Sequence, residues 1–112
     1  MVFYKVLCID GDKYLTPYQY VFAPIGEVIT ARGKEEYVPR EATIDCKYNG
    51  VLGGYIHLFR TKKEALSCSK HHREFSTIIV KAIVEKGTEY FSGIDDVGRR
   101  SVAVKKVKYE LI

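Results

Sequence analysis

The residues with the most chemical potential in this 112-residue chain are its arginines and lysines, its aromatics and one isolated histidine. Arg99 and Arg100 stand side by side, and Lys105, Lys106 and Lys108 follow within one strand-length. Arg60 lies just before "TKKE" (61–64), where a helix start would add free backbone N–H groups to its charge. A guanidinium fork takes a phosphate bidentately, so the arginine pair is the natural phosphate ligand. Phe59, Tyr90 and Phe91 are flat rings on which a base can stack. If the last strand packs beside the strand ending at Arg60, the spacing predicts that Arg60, Arg99, Arg100 and Lys105 converge on one phosphate-bearing ligand.

His57 shares an alternating strand face with Tyr55 and Phe59, which makes it a rim residue for such a ligand. It has no sequence-adjacent nucleophile or orienting carboxylate, so no general-base pair is encoded locally. His71 and His72 are neighbours and diverge by about 100° on a helix, so they do not chelate one metal. Asp95 and Asp96 would point to opposite sides of a strand and read as turn residues. Asp10, Gly11 and Asp12 begin like a calcium loop, but no matching ligands follow. The glycines of "NGVLGG" (49–54) fit neither of the common phosphate-loop patterns. The sequence therefore calls for no metal and no cofactor.

Composition limits the setting. The chain has the size of one domain, residues 1–112, with 46% hydrophobic and 29% charged residues. A formal charge of +4 suits an anionic small molecule but not duplex DNA, which needs a dense basic stripe. No apolar run approaches the roughly 20 residues of a membrane span, and the N-terminus lacks signal-peptide character. Cys8, Cys46 and Cys68 are odd in number and scattered, which fits reduced thiols and a cytoplasmic location. Nine tyrosines and five phenylalanines stand without a tryptophan, a composition suited to strands and to wet binding surfaces.

The elements that must position these residues are mostly strands. "VFYKVLCI" (2–9) is apolar on both faces and belongs in the middle of a sheet. "QYVFA", "EVITA" and "ATIDCKY" read as shorter strands broken by prolines and glycines. "YIHLF" (55–59) places Ile56 and Leu58 on one face. Thr61 and Glu64 form a capping box for a helix expected to run to about Arg73, with Ala65, Leu66 and Ser69 inward. "STIIVKAIVEK" (76–86) is a central strand with Ile78, Val80, Ala82 and Val84 on its core face. In "SVAVKKVKYELI" (101–112) the apolar phase changes: Val102 and Val104 share one parity, while Val107, Tyr109 and Leu111 share the other. A one-residue bulge at Lys105–Lys106 restores a single apolar face. The sum is an α+β domain dominated by a twisted, mostly antiparallel sheet with one main helix.

The order of an early "YKV" strand, a "G..IHLF.TKKEAL" strand-to-helix unit, a long "IIVKAIVEKG" strand and a basic last strand resembles small phage- and prophage-encoded domains of uncharacterised function. It is also similar in size and character to phage anti-defence sponges of the anti-Thoeris and anti-CBASS type. That resemblance implies an oligomeric, non-enzymatic protein of the bacterial host cytoplasm. Such proteins sequester cyclic ADP-ribose isomers or cyclic oligonucleotides with arginines on phosphate and aromatics on adenine. A fainter resemblance to the ADP-ribosyltransferase core implies an alternative, an enzyme using His57 with a late glutamate, Glu89 or Glu110. A protein-inhibiting module working through its tyrosines is the third expectation.

Overall fold

The computed structural model describes residues 1–17, 21–31, 48–49, 53–70, 75–95 and 97–112, with 48–49 as backbone only. Among these, nine strands and one helix follow in the order β1 (Val2–Asp10), β2 (Lys13–Leu15), β3 (Val28–Thr30), β4 (Tyr48–Asn49), β5 (Ile56–Phe59), α1 (Lys62–Ser69), β6 (Ser76–Ile83), β7 (Tyr90–Ile94), β8 (Arg100–Val104) and β9 (Lys106–Glu110). The α+β expectation holds: one sheet dominates, and all its strand pairs are antiparallel except β4–β7.

The sheet runs β3–β9–β6–β1–β5–β8–β7–β4, with β2 pairing to the end of β1. β1 and β6 are central, as their two-sided apolar pattern requires; they pair over eight residues, from Val2↔Ile83 to Ile9↔Ser76. β8 passes through Lys105 directly into β9, yet the two strands pair with different neighbours. The path β9–β6–β1–β5–β8 therefore returns to its own start, and the sheet curls around what its concave face carries. That face supplies Phe3, Leu7, Leu58, Val80, Ala82, Val84, Val102, Val104, Val107 and Tyr109 to one core cluster. Burying each of the larger side chains contributes roughly 1.5–3 kcal/mol.

The phase change in the last strand is located here. The ladder is interrupted at Lys105, and Val102, Val104, Val107 and Tyr109 all enter the same core cluster. Leu111 does not: it lies beyond β9 and is exposed, because the ladder has ended before it.

α1 packs on the convex face through Ala65 and Cys68, against Val6 with Tyr4, Phe59 and Ile79 around it. It ends at Ser69, short of Arg73, and Leu66 is exposed where an inward position was expected. The contact surface is the narrow i, i+3 face of Ala65 and Cys68, and Leu66 lies about 100° away from Ala65 around the axis. Residues 71–74, with the histidine pair, and most of "ATIDCKY" lie outside the described residues, as do parts of "QYVFA" and "NGVLGG". Of "QYVFA", Phe22 forms an isolated bridge to Leu15.

Candidate functional site

Strand alternation at β5 decides where the expected ligand-binding residues go. His57 pairs with Ala103 and Phe59 with Ser101, while Phe91 pairs with Ala103 from the other side. These residues alternate with Leu58, Val102 and Val104 of the core, so His57, Phe59 and Phe91 belong to the convex face. Tyr90 and Ser92 pair with Val104 and Val102 and belong to the concave face. The sheet thus separates Tyr90 from His57, Phe59 and Phe91, which the sequence places at one ligand.

The cations separate as well. Lys105 sits at one end of the five-residue β8, Arg99 and Arg100 at the other, roughly 16 Å away at strand rise. Lys105 Nζ donates to the Gly54 carbonyl at 2.7 Å and lies 4.3 Å from the centroid of the Tyr55 ring. Tyr55 in turn meets Phe91 edge-on, centroids 5.6 Å apart, over the buried Ala103. No single phosphate can be reached by both ends.

The arginine pair is engaged by carboxylates. Arg99, its side chain only 10% exposed, ion-pairs through Nε with Asp95 Oδ2 at 2.5 Å and stacks over Phe59 at 5.6 Å. Arg100 donates its backbone N–H to Glu64 Oε2 at 2.6 Å and its Nη2 to Glu64 Oε1 at 3.0 Å. Glu64 also accepts the Thr61 hydroxyl, while Thr61 Oγ1 accepts the Glu64 N–H, so the expected N-cap is formed. The carboxylate of that capping pair is what ties α1 to the start of β8. An open cleft of about 640 Å³ lies beside this tie, lined by Thr61, Lys63, Glu64, Ser67, Gly98, Arg99 and Arg100. Its arginines hold carboxylates from their own chain, so they anchor the β7–β8 turn.

Arg60 is placed differently. From the end of β5 its side chain crosses β8 to reach β7, where Nη2 donates to Ser92 Oγ at 2.5 Å. The guanidinium lies 6.0 Å from the centroid of the Tyr90 ring, which is 37% exposed and meets Phe3 edge-on at 5.8 Å. Among the described residues no carboxylate pairs with Arg60. Ser92 carried no signal in the sequence, because nothing local shows that Arg60 spans two strands to meet it.

Lys5, also unforeseen, reaches across the seam where β1 and β5 part beyond Tyr4↔Phe59 and donates to the His57 carbonyl at 2.8 Å. Burial of its amine lowers the pKa from 10.5 to about 8, with the nearby Cys68 thiol acting weakly in the other direction. Between about pH 8 and 10.5 the unfolded chain therefore holds one more proton than the folded one, so this residue makes stability rise with pH there. Burial also pushes the Cys8 thiol up, which acts in the opposite sense at alkaline pH. The difference between the wild type and Lys5→Met isolates the lysine. The stability advantage of Lys5→Met near neutral pH should shrink by about 2–3 kcal/mol by pH ~10 in urea titrations. A gap constant across that range would refute the burial of this charge.

His57 lies on β5 and Glu110 on β9, with β6 and β1 between these strands in the sheet order. Among the described residues no cluster of three or more His, Cys, Asp or Glu side chains can hold a metal ion. No helix among them is long and apolar enough to cross a membrane. No protein-family profile, curated protein or solved structure matches the chain.

Proposed function

We propose that this protein binds and sequesters an anionic, nucleotide-like signalling molecule, a cyclic ADP-ribose isomer or a cyclic oligonucleotide, in the manner of a phage immune-evasion sponge. The observation that carries this reading is Arg60. Its guanidinium is half-buried on the concave face, held by one hydroxyl and one ring, with no carboxylate beside it among the described residues. Of five N–H donors one is used by Ser92, which leaves the fork open to a phosphate. A cation held partly out of water without a counter-charge favours an incoming anion, since pairing offsets the desolvation already incurred. The partly exposed Tyr90 ring stands beside it as a stacking platform for a base.

Calorimetric titration with cyclic ADP-ribose isomers and with cyclic di- and trinucleotides tests this. Arg60→Gln should weaken binding by about 10–100-fold, the value of one charge-assisted phosphate contact. Tyr90→Leu should weaken it by about tenfold or more through lost stacking. Lys105→Gln, at the far end of β8, should bind like the wild type. The absence of heat from every one of these ligands overturns the proposal, as does wild-type affinity in Arg60→Gln.

A further inference from the structure

A second surface lies on the other half of the sheet, away from Arg60 and from α1. β3 is an edge strand, paired among the described residues only with β9. The Ala31 N–H donates to the Lys105 carbonyl, in step with the Ile29↔Val107 pair. By the two-residue period of a strand, Ile29 also directs its backbone groups at β9, and Val28 and Thr30 direct theirs at the open edge. Both residues are exposed, Val28 at 70%, whereas Ile29 packs against the core. Among the described residues nothing pairs with this edge, which offers two N–H and two C=O groups in strand geometry, and β3 itself carries no lysine or proline of the kind that commonly blunts an edge.

Lysines outnumber acids beside this edge, although the exposed Glu27 directly precedes Val28. Thr30 is the register partner of Lys106 and Val28 that of Lys108; Lys108 then pairs with Ile83, and Lys81 with Glu110. Three lysines and a row formed by Val28, Ile83 and the exposed Val2 share the convex face there. Glu110 is the one acid among them and is engaged by Lys108 at 3.4 Å.

We infer that this edge takes an extended, acidic segment of a partner protein as an added strand. The main chain of that segment would bond to Val28 and Thr30. Its acidic side chains would face Lys106 and Lys108, and its apolar ones would continue the row that begins at Val28. Main-chain bonding supplies affinity in this mode, and the alternating side chains supply selectivity. Lysine charge selects an acidic segment over a basic one.

The probe is a fluorescein-labelled peptide of alternating valine and glutamate, about seven residues long, followed by anisotropy at low salt. A matching valine–lysine peptide is the control. Thr30→Pro is the decisive variant, because it removes an outward N–H and leaves the β3–β9 bonds of Ile29 and Ala31 intact. Saturable binding of the acidic peptide alone is expected. Thr30→Pro should weaken it about tenfold, and so should Lys106→Glu with Lys108→Glu, at unchanged urea midpoints. Equal binding of both peptides, or full affinity in Thr30→Pro, overturns the inference. So does sedimentation showing that the protein alone self-associates through this edge and that Thr30→Pro abolishes it, since the occupant is then a second copy.

Discussion

Deletion of Lys105 is expected to abolish folding, whereas Lys105→Ala should cost about 1–2 kcal/mol. The side-chain period of a strand is two, so removing one residue between Val104 and Val107 turns the whole of β9 over. Val107 and Tyr109 would then face solvent, each forfeiting roughly 1.5–3 kcal/mol of burial. Lys106 and Lys108 would face the core, at several kcal/mol per desolvated charge. The sum reaches the whole stability of a typical domain, about 5–15 kcal/mol. In Lys105→Ala the residue count is kept, while the bond to the Gly54 carbonyl and the contact with the Tyr55 ring are lost. Far-ultraviolet circular dichroism in urea separates the two variants. A deletion that unfolds at the midpoint of Lys105→Ala would mean that β9 holds its phase without this residue.

Asp95→Ala is the second large effect, about 3 kcal/mol. Asp95 Oδ1 accepts from the N–H groups of Val97 at 3.1 Å and Arg99 at 2.7 Å, and Oδ2 accepts from Arg99 Nε. These bonds build the turn from β7 to β8, which Gly98 completes at φ +90°. Removing the carboxylate takes the Asp95 ion pair away from a largely buried guanidinium under Phe59, and breaking one side of a buried pair typically costs about 3–5 kcal/mol. The lower figure applies because the turn lies at the surface, where Arg99 can swing into water. Combining Asp95→Ala with Arg99→Met should recover about half of the loss, since no buried charge then remains. Urea denaturation of the four proteins gives the coupling directly. Strictly additive effects would show that the pair is not a unit.

These two cases mark how far local pattern carries. The phase break in "SVAVKKVKYELI" is visible because Val102 and Val104 share one parity while Val107 and Tyr109 share the other. The cap at Thr61 and the turn role of Asp95 are equally local. The helix end was overestimated because a polar, weakly amphipathic segment continues past Ser69 without a stop signal. The grouping of Arg60, Arg99, Arg100 and Lys105 was not legible at all, because charge pairing depends on which strands become neighbours.

The chain's sequence determined the α+β class, the central place of β1 and β6, the core-facing residues of β5, β6 and β8, and the need for an irregularity at Lys105. Each of these follows from short-range periodicity and capping chemistry, which any stretch of about ten residues displays. Tertiary structure alone decided that Asp95 and Glu64 engage the arginine pair and that Arg60 crosses β8 to Ser92 and Tyr90. It also decided that Lys5 spans the β1–β5 seam and that β3, among the described residues, pairs only with β9. Those contacts join residues 4 to 52 positions apart along the chain or depend on strand order. No local pattern encodes strand order; it emerges when the sheet closes around its core.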